Sequence, residues 1–233
     1  MKTNSEWMSI SDMMSGLMLV FLFISISFMI QVQSDKDKMK DIAQSYKDTK
    51  VNLNEDLHTE FLEDMKKWDA SITKDNTIVF HSPEVLFEVN KSAISEGFKA
   101  ILDDFFPRYL KILISKKYKD NIKDMKVEGH TSNDWISSIS KEKIYLKNMQ
   151  LSQKRAYIVL SYCYSLDNDL VKQNRLWLEK YFRANGMAFA KLKYKDINST
   201  IVDQKSSRRV EFSVQMKTED KIYEVLKINN ERR

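Results

Sequence analysis

The sequence predicts an α+β fold: a single N-terminal transmembrane helix, then a domain whose helices pack on a small mixed β-sheet. Three observations carry that prediction. The run from Met13 to Val32 holds no charged residue, and as a helix it is about 30 Å long, the thickness of a bilayer core. The stretch that follows, to about residue 70, has no Gly or Pro and is rich in helix formers. Beyond it, β-branched runs alternate with periodic apolar stretches, in the order strand, helix, strand, helix, helix, strand, strand.

Composition narrows the function classes. The chain has 233 residues, and roughly 150–160 remain beyond the anchor and stalk, enough for one domain with its own core. Its 38 Lys+Arg and 33 Asp+Glu give a net charge of +5. Acids and bases are interleaved, which predicts a solvated surface and no direct nucleic-acid partner. Cys163 has no partner for an internal disulfide and falls in a helical apolar pattern, so it reads as a core residue. Four Gly and two Pro argue against flexible linkers or an all-β fold, and no repeat of the solenoid kind is present. His58, His81 and His130 are scattered, and no phosphate loop or catalytic triad pattern occurs. No enzymatic activity, cofactor or metal is expected.

Three readings compete for residues 7–32. A cleaved signal peptide fits poorly: its basic region would be Lys2 alone, the apolar run is too long, and no small-residue cleavage pair follows. A plain anchor would leave Asp12 at the membrane surface. The third reading is a functional intramembrane acid. With a helix starting near Trp7, Asp12 lies one to two turns in, and Ser15, Gly16, Leu19 and Phe23 share its face. Small residues there allow another helix to approach closely. An ionisable group at this depth is costly unless it faces a bundle interior or a water path, where it handles ions or protons. Ser11 and Ser15 stand beside it as further ion-transfer candidates. One helix cannot form such a path, so helices of other chains must surround it.

The segment Trp7-Met-Ser-Ile-Ser-Asp12-Met-Met-Ser-Gly16-Leu-Met-Leu-Val-Phe-Leu22 resembles the single span of MotB-type ion-driven stator subunits. Its wording is most similar to the B subunits of Zorya anti-phage defence systems. The resemblance implies a homodimer inside a pentamer of a MotA-like multi-span membrane subunit, with protons passing by way of Asp12 and turning the ring. It also implies a bacterial inner-membrane protein with a cytoplasmic N-terminus and a periplasmic C-terminal domain. Positive-inside counting points the other way, with Lys2 before the span and Lys36, Lys38 and Lys40 after it. Those three lysines are interleaved with Asp35, Asp37 and Asp41, and the topology implied by the resemblance is adopted.

Residues 33–70 read as a helical stalk, with Met39, Ile42, Tyr46, Leu53, Leu57, Phe61, Leu62, Met65 and Trp68 at amphipathic spacings. The first part suits a parallel dimer stalk, and Phe61–Trp68 suits packing on the chain's own domain. His58 reads as a surface residue. The organisation expected is thus 1–32 tip and span, 33–70 stalk, and 71–233 globular domain.

Within that domain, Thr77–His81 and Val85–Val89 read as strands. Ser95 opens a helix to about Lys117, which Pro107 should kink or split. Ile122–Gly129 reads as a strand, Met149–Leu166 as a helix, and Leu170–Ala184 as a helix with Leu176, Trp177 and Phe182 inward and Gly186 as C-cap. Met187–Tyr194 and Arg209–Met216 read as strands, the latter with Val210, Phe212 and Val214 alternating. A short last helix is placed at Glu219–Ile228.

Four stretches of this domain resemble the OmpA-like peptidoglycan-binding domain: Val85-Leu-Phe-Glu-Val-Asn-Lys-Ser-Ala-Ile94, Val127-Glu-Gly-His-Thr131, Asn148-Met-Gln-Leu-Ser-Gln-Lys-Arg-Ala156 and Ser207-Arg-Arg-Val-Glu211. The resemblance spans about residues 77–216. A helix opening at Leu151-Ser152 would offer free N–H groups to an anion, and Arg155 one turn in would fork onto a carboxylate. The binding candidates are Thr131, Ser132, Asp134, Asn148, Leu151, Arg155, Arg208 and Arg209. The acid usual after Gly-His-Thr is Ser132 here, and Asp134 either replaces it or leaves amine recognition weakened. His130 reads as a structural hydrogen-bonder rather than a catalyst, and one of Arg208 and Arg209, which open a strand, fits a structural ion pair. The function expected is a proton-driven motor subunit of anti-phage defence anchored to peptidoglycan. The alternatives are a flagellar-type stator subunit and an OmpA-like envelope tether without ion transport.

Overall fold

The computed structural model describes residues 3–81, 86–87, 93–133, 140–196 and 199–217, and the side chains at 3–10 and 46 are left aside. The described residues fall into two units, 3–47 and Asp48–Lys217. The first consists of the N-terminal part of helix α1 (Thr3–Lys67). Its side chains from Met13 to Val32 are exposed throughout, and the mean hydropathy of the best window, 2.3, is high enough to cross a membrane. An uncovered apolar cylinder of this kind requires lipid or partner helices around it.

The second unit begins with the rest of α1. Leu53, Leu57, Phe61 and Met65 are buried at four-residue intervals, while Leu62, expected inward, is exposed. This stripe seats the stalk on its own domain. Several polar contacts lock it there. Arg108 Nε donates to Glu60 Oε1 at 2.7 Å and its Nη1 to Asp64 Oδ2 at 2.9 Å, with the guanidinium 4.8 Å above the Phe61 ring. Tyr118 donates its hydroxyl to Asp56 Oδ2 at 2.5 Å, and Lys117 adds a second bond at 3.0 Å. Asn54 Nδ2 donates to the Thr73 carbonyl and to Asn76 Oδ1 at 2.8 and 2.9 Å.

Five strands form one sheet: β1 (Ala70–Ile72), β2 (Ile78–Phe80), β3 (Ile122–His130), β4 (Phe182–Gly186) and β5 (Arg209–Met216). Their order is β1-β2-β5-β3-β4. All neighbours are antiparallel except β3 and β4, which run parallel. That parallel pair needs a crossover, supplied by α3 (Lys141–Tyr164), α4 (Asp169–Gln173) and α5 (Arg175–Tyr181). Helix α2 (Glu96–Leu113) starts at Ser95, whose hydroxyl accepts the Phe98 N–H at 3.1 Å. The last helix, α6 (Gln204–Ser207), is one turn. The core is an aromatic cluster around Phe105, whose ring meets Phe61, Trp68, Phe80, Tyr109 and Phe212 at 5.0–6.1 Å. Cys163 is fully buried, as expected.

Several expectations are corrected. Pro107 does not split α2, because Leu102, Phe105, Phe106, Tyr109, Leu110 and Leu113 bury the helix on both sides of it and outweigh one lost hydrogen bond. The single helix expected at Leu170–Ala184 is two short helices and the start of β4. Phe182–Gly186 is a strand because Met125–Gly129 offers it a free edge, so Gly186 is not a C-cap. Leu176 is exposed rather than inward. Met187–Tyr194 is not a strand: the chain reverses at Ala188, which sits at φ 46°. The sequence reading missed β1. Helix α3 begins at Lys141, well before Met149, since residues 141–150 contain no breaker. Most of the strand expected at Val85–Val89, and all of Glu219–Ile228, lie outside the described residues.

One close approach decides how α3 sits. Gly129 and Gly186 are partners across β3 and β4. A Cβ on Gly129 would lie 2.3 Å from the Ser152 carbonyl oxygen, and one on Gly186 2.6 Å from the Gln153 nitrogen. Gly129→Ala or Gly186→Ala is therefore expected to cost about 3 kcal/mol in urea unfolding, whereas Gly97→Ala, whose nearest neighbour is 3.9 Å away, is expected to be neutral or stabilising by up to about 1 kcal/mol. The Tyr118 hydroxyl holds the Asp56 carboxyl below its usual range against partial burial, with Lys117 adding to the effect. The stability this contributes is complete above about pH 4, the unfolded carboxylate value, and is lost as pH falls through the lower folded value. Asp56→Asn is expected to flatten the acid limb of the unfolding midpoint plotted against pH.

Candidate functional site

In the first unit, α1 begins at Thr3, so Asp12 lies about two and a half turns into the helix rather than one to two. The residues from Ser11 to Gly16 are exposed. The Ser15 hydroxyl donates to the Ser11 carbonyl at 2.9 Å, which settles the Ser15 side chain one turn from Asp12 on the helix surface. Gly16 has nothing within 4 Å of a built Cβ, leaving an open notch on the same face.

In the second unit, the motif residues gather where β3 ends against α3. Arg155 projects from α3, is 8% exposed, and carries its guanidinium 4.7 Å over the Phe87 ring. Burial, with the Arg208 charge nearby, pulls the Arg155 guanidinium down to about 10. A guanidinium in this setting can hold a carboxylate through two parallel bonds. Thr131 and Ser132, 3% and 6% exposed, leave the end of β3. The Thr131 N–H donates to the Ala188 carbonyl at 2.8 Å, while its buried hydroxyl has no hydrogen-bond partner among the described residues. Asn133, next along, accepts from Gln204 Nε2 of α6 at 2.9 Å. Asp134 lies outside the described residues.

Other predicted site residues do structural work. Asn148 is buried and donates to the Ile144 carbonyl of its own helix at 3.0 Å. Leu151 is half-buried. The helix N-terminus expected at Leu151-Ser152 is not there: both residues are about three turns inside α3, so their N–H groups are consumed by the helix and offer no anion cradle. Arg209 points into the fold. It donates from Nε to Glu211 Oε1 at 2.6 Å, and from Nη1 to the Lys191 and Ser207 carbonyls. Arg208, its neighbour, is the one brought towards Arg155.

The motif's Ser and Gln serve the seating of α3. The Ser152 hydroxyl accepts from the Ala188 N–H at 3.0 Å. Gln153 brackets β4, donating to the Ala184 carbonyl and accepting the Gly186 N–H at 3.1 and 2.6 Å. Sequence reasoning missed Phe87 as a partner of Arg155, although it lay inside a quoted motif. It also missed the clustering of Glu128, His130 and Glu211. These three are buried together on the sheet face opposite α3. Burial pushes the Glu211 carboxyl up, but His130 and Arg209 overcome it and bring it down to about 2.

The chain is 39% identical over 225 residues to the Zorya protein ZorB of Escherichia coli, covering 96% of this chain and 93% of that protein. It belongs to the ZorB family. No family model matches the sequence. Among solved structures, a MotB-like protein from Desulfovibrio vulgaris aligns with TM-score 0.45 at 16% identity, covering 78% of this chain and 98% of the other. The cell wall anchor of the T6SS from Pseudomonas aeruginosa aligns with TM-score 0.44 at 19% identity, covering 69% and 96%.

For this ZorB-family chain, the braces around the site are testable apart from any ligand. Ser152→Ala leaves the buried Ala188 N–H unpaired and is expected to cost about 1–3 kcal/mol in urea unfolding.

Proposed function

We propose that the chain is the wall-tethered membrane subunit of a proton-driven motor in anti-phage defence. The observation that carries this reading is the joining, in one ZorB-family chain, of an exposed apolar helix bearing Asp12 to a globular unit in which the Arg208 charge acts on the buried Arg155. In this reading two copies lie within a ring of five MotA-like subunits. The span crosses the bacterial inner membrane with its N-terminus in the cytoplasm and the globular unit in the periplasm. Residues 1–32 form the tip and span, 33–70 the stalk, and 71–233 the peptidoglycan-binding domain.

Asp12 takes a proton from one side and releases it to the other as partner helices pass, with the Ser11 and Ser15 region shaping its contact. The notch at Gly16 admits a partner helix beside it. Arg155 and Arg208 clamp a stem-peptide carboxylate, with Thr131, Ser132 and Asp134 along the rim, and Asn148 and Leu151 hold the helix that presents Arg155. A fixed wall anchor gives the dimer something to push against while the ring turns. The docked end of the stalk supports this, because Leu53, Leu57, Phe61 and Met65 seat the C-terminal part of α1 on the globular unit.

Two substitutions separate the parts. Asp12→Asn is expected to abolish proton flux through the complex in vesicles and phage protection in cells, while leaving peptidoglycan co-sedimentation intact. Arg155→Ala is expected to weaken co-sedimentation by about 1.5–3 kcal/mol, roughly tenfold to a hundredfold. If Asp12→Asn keeps both flux and protection, the channel reading is wrong and an envelope tether remains.

A further inference from the structure

Glu128 and His130 are two residues apart on β3 and share the sheet face that Gly129 turns away from. Glu211 is the register partner of Glu128 on β5. The three side chains belong to residues only 9%, 2% and 8% exposed. His130 Nε2 lies 3.5 Å from Glu211 Oε2 and 3.8 Å from Glu128 Oε2. Among the described residues, neither ring nitrogen has a hydrogen-bond partner. A buried imidazole aimed between two carboxylates without bonding to either is an unfinished arrangement.

The spacing fits a different partner. One donor atom from each residue can be chosen so that all three lie within 4.8 Å of one another. Ligand atoms at about 2.0–2.2 Å from a tetrahedral zinc ion lie roughly 3.4 Å apart. The gaps around His130 are long for hydrogen bonds and suit the edges of a coordination shell. We propose that Glu128, His130 and Glu211 form a divalent-cation site, with zinc as the ion that the donor set fits. An imidazole with two carboxylates suits zinc, whereas magnesium and calcium take oxygen alone. This replaces the expectation of no metal drawn from three scattered histidines.

The surroundings are consistent with one ion. Arg209 donates to Oε1 of Glu211 at 2.6 Å and leaves Oε2 turned to His130, which is how an outer partner orients a ligand. Lys191 Nζ stands 3.5 Å from Glu128 Oε2 with its side chain 57% exposed. It now offsets charge that the ion would offset, and it is free to swing into water. An ion here ties the end of β3 to β5 directly behind Thr131 and Ser132, so its role is to brace the pocket.

The test uses the full-length chain in detergent, stripped with EDTA and titrated with zinc chloride by calorimetry and thermal unfolding. One zinc per chain and a rise in Tm are expected, with no rise from magnesium chloride. His130→Gln is expected to weaken zinc binding at least about tenfold. Because His130 is buried and its replacement also perturbs packing, Lys191→Met is the second arm. It keeps all three ligands and removes the competing cation, and is expected to tighten zinc binding about tenfold. The proposal is overturned if zinc leaves the Tm of the unaltered chain unmoved. It is equally overturned if His130→Gln binds zinc as tightly as the unaltered chain, or if Lys191→Met binds it no more tightly.

Discussion

The globular unit depends on a helix resting directly on bare backbone. Gly129 and Gly186 face each other across the parallel pair β3–β4, and the missing side chains let α3 descend until Ser152 and Gln153 touch the sheet. At that distance their side chains bond strand backbone at Ala184, Gly186 and Ala188. The register of α3 along the sheet is thereby set, and with it the height at which Arg155 emerges one turn further on. Such support narrows the positions a long side chain can sample, and Arg155 rests with its guanidinium 4.7 Å over the Phe87 ring.

The sheet separates two kinds of chemistry. On the helix side, Phe105 gathers rings from α1, α2, β2 and β5 into one apolar cluster. On the other side, Glu128, His130, Arg209 and Glu211 form a buried polar network around the ends of β3 and β5. The two meet where β3 finishes, beside the buried Thr131 and Ser132. Arg209 shows why adjacent arginines divide their labour. Strand alternation sends neighbours to opposite faces, so Arg209 closes the network while Arg208 reaches towards Arg155.

Much of this was legible from residue order. The amphipathic spacing of Leu53, Leu57, Phe61 and Met65, the Ser95 cap, the strand Arg209–Met216 and the motif around Arg155 all follow from local periodicity and capping chemistry. Misreadings arose where a distant partner overrode local preference. Phe182–Gly186 has a helical neighbourhood in sequence but lies beside the free edge of β3. Leu176 is apolar yet exposed, because its seven-residue helix turns Trp177 and Leu178 to the core instead. The motif's Leu151 and Ser152 looked like a helix start because that part of the signature is strongest, yet nothing upstream breaks the helix before Ser140.

The sequence alone determined the apolar span with its single acid, the helical stalk, the α+β class and the candidate arginine, because each is written in hydrophobicity and repeat period within a few turns. The tertiary structure decided which arginine of Arg208 and Arg209 faces Arg155, that Phe87 lies beneath that guanidinium, and that Glu211 joins Glu128 and His130. Those pairings link residues dozens of positions apart through strand register and the seating of α3, and register is a property of the assembled sheet that no single stretch encodes.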